Sequence, residues 1–316
     1  MAKRHLGVLL HVGTNLWTDV PEPEDMPPQD AHVFLHPEVR FSEAVWREAV
    51  ERMVRAGVDR VVMDLGEAVV YPSHPELAIP GSLSPDWFRH EVARLKGLGV
   101  EAIPKLNFSA AHDAWLGEYS RMVSTPEYYR VCSDLIGDVA EIFGRPRLFH
   151  LGYDEETAQV QRNYAFSVVR QGGLWWHDFL WFVGEVERRG MRPWIWSDYY
   201  WGHREDFLAR MPRSVLQSNW YYGPDLETPP RELEIRQVRT YDELDRAGFD
   251  QVPCASTWVR TGNFAATVDY CRRRLSPERL KGFLMAPWRP TTEAWKVTVL
   301  DAIDRVAAVS AEETAG

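Results

Sequence analysis

Three successive acids, Asp154, Glu155 and Glu156, close the run Phe149-His150-Leu151-Gly152-Tyr153-Asp154-Glu155-Glu156. Adjacent carboxylates repel one another, so such a run persists mainly where a substrate or partner stabilises it. The bland alternative is that a helix N-terminus attracts them. Glu155 lies between two acids whose charges push its pKa upward, toward the range in which a carboxyl delivers a proton near neutrality. A functional role is the favoured reading of the run.

Further polar residues fall at the ends of other short apolar runs: His11, Asp64 with Glu67, Lys105 and Asn107 with His112 soon after, and Asp198. Asp198 stands among Trp196, Tyr199, Tyr200 and Trp201, surroundings that suit a sugar subsite. Aromatic residues recur at corresponding places: Trp220 and Tyr221, Trp258, and Trp288 with Glu293 beyond it. The chain holds 14 tryptophans beside 12 tyrosines and 13 phenylalanines. Flat rings stack against the C–H faces of sugars, and tryptophan offers the largest such surface. Core packing is the commoner role of any single Trp, but at run ends a pocket-lining role is expected for Trp220, Trp258 and Trp288.

The elements that must position these groups alternate short β-branched or apolar runs with longer amphipathic segments, the pattern of repeated βα units. Strands are expected at Leu6–Val12, Arg60–Leu65, Glu101–Leu106, Arg147–Gly152, Arg192–Ser197, Val215–Asn219, Gln251–Thr257 and Lys281–Pro287. Helix signals lie between them. Ser42 caps a helix through Arg55, Ser84-Pro85 opens one that closes at Gly99, and Thr125-Pro126 opens one that stops at Gly144. Others run from about Leu174 to Gly190, and over His203–Arg210, Tyr241–Ala247, Phe264–Leu275 and Thr292–Ala308. Eight such pairs predict an α/β fold, a single (β/α)8 TIM barrel over residues 1–316, with long loops after strand 1 (about 15–40) and strand 6 (about 222–238). In such a barrel the run ends are the C-terminal rim, where function sits.

Composition narrows the partners. The chain of 316 residues is 45% hydrophobic and 26% charged, with material for a large core. A formal charge of −10, with both signs interspersed, argues against nucleic acid or an anionic membrane surface. The apolar run after Met1-Ala2-Lys3-Arg4-His5 breaks at His11, too short for a secretory leader, and nowhere do 18 apolar residues run together. Cys132, Cys254 and Cys271 are scattered and odd in number, which fits a reducing, cytoplasmic setting. No G-x-G-x-x-G or Walker pattern occurs, so no nucleotide cofactor is expected. His11, Asp64, His112 and His150 have metal-ligand types, but no H-x-H or H-E-x-x-H spacing supports a metal site.

The strand 4 run resembles glycoside hydrolase family 20, the β-N-acetylhexosaminidases, whose fourth barrel strand ends in H-x-G-G-D-E. The matching residues are His150, Gly152, Asp154 and Glu155. Strand 3, Ile103-Pro104-Lys105-Leu106-Asn107 followed by His112, is similar in place to the family's P-E-x-D-x-P-G-H, and Trp288 with Glu293 to its W-x-E. The resemblance implies a small carbohydrate substrate whose own 2-acetamido oxygen attacks the anomeric carbon. Asp154 would orient that amide, and Glu155 would protonate the leaving oxygen and then activate water. His150, Tyr153, His112, Asn107, Lys105, Asp64, Trp196, Asp198, Tyr199, Trp220, Tyr221, Trp258, Trp288 and Glu293 would line the sugar site. Tyr153 replaces the family's second glycine, Lys105 and Asn107 replace acids, and strand 1 has no counterpart of the family's sugar-gripping arginine. Three other readings stand beside this one: a glycosidase on plain sugars pairing Glu155 with Asp198 or Asp64, a non-catalytic carbohydrate-binding barrel, and a metal-dependent hydrolase.

Overall fold

The structure, a computed structural model, describes residues 5–27 and 31–315. Eight strands form one parallel sheet: β1 His5–His11, β2 Arg60–Asp64, β3 Glu101–Lys105, β4 Leu148–His150, β5 Arg192–Trp196, β6 Leu216–Ser218, β7 Cys254–Ala255 and β8 Gly282–Met285. Their order is β6-β5-β4-β3-β2-β1-β8-β7. The last seam is held by the isolated parallel bridges Gln217↔Gln251 and Trp220↔Cys254, which join β6 to the β7 segment. The result is a (β/α)8 barrel.

The helices are α1 Glu43–Arg55, α2 Pro85–Gly97, α3 Pro126–Ile142, α4 Gly172–Arg188, the short α5 Tyr199–Gly202, α6 Arg204–Arg210, α7 Glu232–Arg246, α8 Asn263–Arg274 and α9 Lys296–Ala315. The start signals work as the sequence suggests. Ser42, Ser84 and Thr125 accept hydrogen bonds from the amides of Val45, Trp87 and Tyr128, and Pro85 and Pro126 open their helices, where a missing N–H costs nothing. On α1 the buried residues Val45, Trp46, Ala49, Val50 and Met53 recur at three- and four-residue spacing, forming one inward stripe.

Several boundaries differ from expectation: β7 pairs over Cys254–Ala255 within the predicted Gln251–Thr257, the last helix runs Lys296–Ala315 rather than Thr292–Ala308, and the largest difference is at α7. Helix α7 begins at Glu232 rather than Tyr241, so the segment expected to loop to about 238 is helical from there on. Its first turns bury Glu234 and Gln237 beside Val238, polar residues where periodicity would look for apolar ones. The loop after β1 is gathered by Arg40, whose guanidinium donates to the carbonyls of Ala31, His32 and Phe34 and to Thr14 Oγ1 at 2.9–3.1 Å. Residues 28–30 of that loop lie outside the described residues. No described helix is long and apolar enough to cross a membrane. All three cysteines are buried thiols.

Strand side chains alternate between two environments. Val8, Leu10, Val61, Met63, Phe149 and Ile195 pack outward against the helices. Leu9, Val62, Ile103, Leu148, Trp194, Leu216, Val252 and Leu284 fill the barrel interior. Two residues further along, the interior layer turns polar. His11, Asp64, Lys105 and His150 follow one another in register across β1 to β4. They are fully buried and floor the C-terminal mouth.

Candidate active site

The floor is held by charge. Lys105 Nζ donates to Asp64 Oδ2 at 2.6 Å, and His11 Nδ1 lies 3.2 Å from the same oxygen. Burial alone would raise the Asp64 carboxyl, but the Lys105 ammonium and His11 outweigh it and hold the pKa at about 2. Burial and the nearby Lys105 charge push the His150 imidazole well below its ordinary value, so it is neutral. The amide of Gly152 donates to His150 Nδ1 at 3.0 Å, which leaves the ring proton on Nε2.

Above this floor the chain leaving β4 turns sharply. Gly152, Tyr153 and Glu155 all have positive φ, at 67°, 71° and 56°. For Tyr153 and Glu155 this left-handed backbone costs roughly 1–3 kcal/mol each, strain that the surroundings must impose. Gly152 is required for a second reason: a Cβ there would stand 2.1 Å from Asn107 Oδ1. That oxygen accepts from the amides of Tyr153 and Ser109, and Asn107 Nδ2 donates to Asp154 Oδ1 at 2.8 Å. Asn107 thus ties the turn down and aims Asp154.

The turn brings Asp154 and Glu155 together, although neighbours on a strand would point apart. His112 Nε2 lies 3.5 Å from Asp154 Oδ2 and 3.3 Å from Glu155 Oε2, while its Nδ1 meets the carbonyl of Leu16 at 3.0 Å. Burial disfavours the imidazolium, but the two carboxylates outweigh it and raise His112 to about 9. Asp154 is nonetheless raised. Its burial exceeds the pull of His112, and the Glu155 charge adds to the rise. Asp198 Oδ2 accepts from the Glu155 amide at 2.8 Å, and burial followed by the Asp154 charge lifts its carboxyl well above the usual range. The Asp154 side chain is 13% exposed and that of Glu155 38%. One carboxyl is therefore enclosed and the other reaches solvent.

Glu156, the third acid of the run, turns away. It accepts from Arg170 and from the Ala110 amide, and Arg170 also reaches Asp178 and the carbonyl of Phe108. Its charge is answered there, so Glu156 stands apart from the Asp154 and Glu155 pair. Arg170 carried no signal in the sequence. Beside this cluster the buried Asp113 is raised to about 8, by burial first and then by Glu156, against the pull of Arg170.

The other expected residues divide between mouth and scaffold. Trp196 and Trp288 meet edge to face at 5.6 Å above the floor, with Trp288 also 5.8 Å from His11 and donating to the Tyr222 hydroxyl. Trp220 packs between Trp201 and Tyr222. Trp258 is 46% exposed, with the Arg289 guanidinium 3.9 Å from its ring centre. Tyr199, expected to line the site, is stacked on Trp175 at 3.6 Å and on His203 at 4.2 Å, so both ring faces are occupied by protein. Tyr153 is buried against Trp175, Phe179 and Phe182, and Tyr221 is buried with its hydroxyl toward Glu234. Glu293 is exposed and accepts from Ser42 at the start of α1. Glu67 is buried and accepts from the amides of Thr14 and Asn15. Sequence reading did not single out Trp17, which lies 5.0 Å from His11, or Tyr222; both sit in loops without periodicity.

Among the described residues, His112, Asp154 and Glu155 offer three ligand-type atoms within 4.8 Å of one another, the one cluster with metal-binding geometry. The set His11, Asp64 and His150 is not such a cluster, and the Lys105 ammonium pairs with the Asp64 carboxylate at 2.6 Å.

No family sequence model and no curated protein sequence matches the chain. Solved structures do match. The β-hexosaminidase of Streptomyces plicatus, solved with its product GlcNAc, superposes with a TM-score of 0.63 at 13% identity, over 98% of this chain and 63% of that one. The family 20 exo β-N-acetylglucosaminidase of Vibrio harveyi gives 0.59 at 12%, over 96% and 54%. Dispersin B gives 0.60 at 14%, over 97% and 99%. The fold is that of the family 20 hexosaminidases, in divergent form. This chain spans less than two thirds of the length of the Streptomyces and Vibrio proteins and nearly the whole of dispersin B.

Proposed function

We propose that the protein is a glycoside hydrolase that removes a terminal 2-acetamido sugar with retention, using the substrate's acetamido oxygen as nucleophile. The observation that carries this reading is the convergence of enclosed Asp154 and exposed Glu155 on His112 at the rim of a hexosaminidase-like barrel. Asp154 accepts the acetamido N–H and aligns its carbonyl oxygen on the anomeric carbon. As that oxygen forms its bond to carbon, Glu155 gives its proton to the departing glycosidic oxygen, leaving a cyclised intermediate. Glu155, now a carboxylate, takes a proton from water as the water opens the ring. His112 holds both carboxyls in place and supplies the positive charge that keeps two acids together. Trp196 and Trp288 offer apolar ring surface beside the reacting sugar.

A second reading is supported by Asp198, whose Oδ2 touches the Glu155 amide while its Oδ1 is buried without a partner. It makes Asp198 the second carboxyl of a glycosidase acting on plain sugars. Asp64 does not serve that reading, since Lys105 holds it in the floor.

Chromogenic N-acetylglucosaminides and N-acetylgalactosaminides distinguish these readings. The proposal expects turnover that is lost in Glu155→Gln, and tight binding of a thiazoline mimic of the cyclised intermediate that weakens in Asp154→Asn. Cleavage of plain glucosides or galactosides with no action on acetamido sugars would transfer the role to Asp198. Sugar binding without any turnover would make the protein a carbohydrate-binding barrel.

A further inference from the structure

The opposite end of the barrel is lined by charged side chains. At the N-terminal ends of the strands lies an open cavity of about 470 Å³, a volume within the range of small-molecule pockets. Its wall carries Arg60, Arg147, Arg192 and Lys281, against the two carboxylates of Glu101 and Asp250. Each carboxylate is shared by more cations than it can neutralise. Glu101 lies 3.2 Å from Arg60 Nε and 3.1 Å from Arg147. Asp250 faces Arg192 at 3.0 Å and Lys281 at 3.6 Å, and Arg279 from behind at 3.3 Å. His5, also on the wall, has its own partner in Asp59 at 2.8 Å.

A ring of ion pairs that only plugs a barrel would balance its charges and fill its space. Here four lining cations face two anions around an open cavity, in a chain whose overall charge is −10. Arg60 adds a second sign. It is 7% exposed, and its Nε faces the Glu101 carboxylate at 3.2 Å, a carboxylate it shares with Arg147. Burial opposes its charge most, Glu101 and Asp59 support it, and the neighbouring Arg147 opposes it again, so its pKa lies below the ordinary value. A buried guanidinium that shares its one carboxylate with a second arginine, in a cup whose lining carries more cations than anions, suits an oxyanion, whose oxygens take the planar fork of N–H groups.

We propose that this basal cavity binds a small oxyanion of the phosphate class, free or as the ester of a small metabolite. The site lies at the far end of the barrel from Asp154 and Glu155 and stands whether or not the chain cleaves glycosides. Calorimetric titration of the whole protein with inorganic phosphate and with glucose 6-phosphate, against chloride at equal ionic strength, tests it. Saturable binding is expected. It should weaken about fivefold or more in Arg147→Gln, since one charge-assisted contact is lost, and tighten by a similar factor in Glu101→Gln, which frees Arg60 and Arg147. Arg147 is 56% exposed and touches only Glu101 in the cup, so its replacement leaves the fold intact. Tighter binding of the ester would identify an esterified ligand, and equal binding a free oxyanion; both support the site. Absence of saturable binding by either probe, or wild-type affinity in both variants, would overturn it.

Discussion

Asn107 Nδ2 donates to Asp154 Oδ1 at 2.8 Å, so a neutral donor aims the enclosed carboxyl. Asn107→Asp keeps the shape and the acceptor for the Tyr153 and Ser109 amides but removes that donor. It also sets a second carboxyl against Asp154, which raises the pKa of the pair further. Steady-state kinetics on an N-acetylglucosaminide should show kcat/KM reduced on the order of tenfold to a hundredfold, with the deficit in kcat. Unchanged kcat would mean that the amide does not set the orientation of Asp154.

His112 makes stability depend on pH. Its pKa is about 9 in the folded protein and near 6.5 in the unfolded chain. Its stabilising contribution is therefore full below about pH 6.5 and lost as pH rises through 9, an upper bound of about 3 kcal/mol. Thermal unfolding followed from pH 6 to 10 should show this decline, and His112→Gln should flatten it. A parallel decline in the variant would assign the slope to other groups.

Asp113 acts in a lower window with the same sign. A carboxyl raised to about 8 by burial favours the folded state while protonated, so stability falls as pH climbs from about 4 to 8. Asp113→Asn fixes the neutral form, and its Oδ2 has no partner to lose. The variant should unfold at a higher temperature than wild type at pH 8.5 and at the same temperature at pH 4. A variant less stable at both values would show that the carboxylate is the favoured form.

Tyr153 trades backbone strain for packing. Its φ of 71° suits glycine, yet the ring fills a pocket between Trp175, Phe179 and Phe182, under the Arg170 guanidinium. Tyr153→Gly releases roughly 1–3 kcal/mol of strain but forfeits about 3–5 kcal/mol of buried aromatic contact, so chemical denaturation should show a net loss. Tyr153→Phe keeps the ring and removes a buried hydroxyl that has no partner, and should be neutral or stabilising. A large loss on Tyr153→Phe would reveal an acceptor for that hydroxyl.

The strands were legible because each is a short apolar run between helix stop and start signals, and the interior positions follow from period-two alternation. Asp154, Glu155, His112 and Asn107 were legible because they follow strand ends, where chain direction carries them to the rim. What sequence could not convey was direction within loops. Glu156 and Glu155 look alike in the run, but the left-handed turn at Glu155 sends them to opposite partners. Arg170 sits on no periodic element, and its role exists only through the fold. Tyr199 follows a strand end like its neighbours, and only the packing of α4 against it decides that its faces are taken.

That last distinction is measurable. Trp288, half-buried above the floor, and Tyr199, stacked on both faces, were both expected from the sequence to line a sugar site. Trp288→Ala removes ring surface from the mouth and should raise KM for an N-acetylglucosaminide while moving the unfolding midpoint little. Tyr199→Ala removes a ring held between Trp175 and His203 and should lower stability by about 2–4 kcal/mol with KM nearly unchanged in the folded fraction. The two effects are read separately, by kinetics at a temperature where both variants are folded and by denaturant titration. If Tyr199→Ala instead raised KM without loss of stability, the sugar would have to displace His203 from the Tyr199 ring on binding.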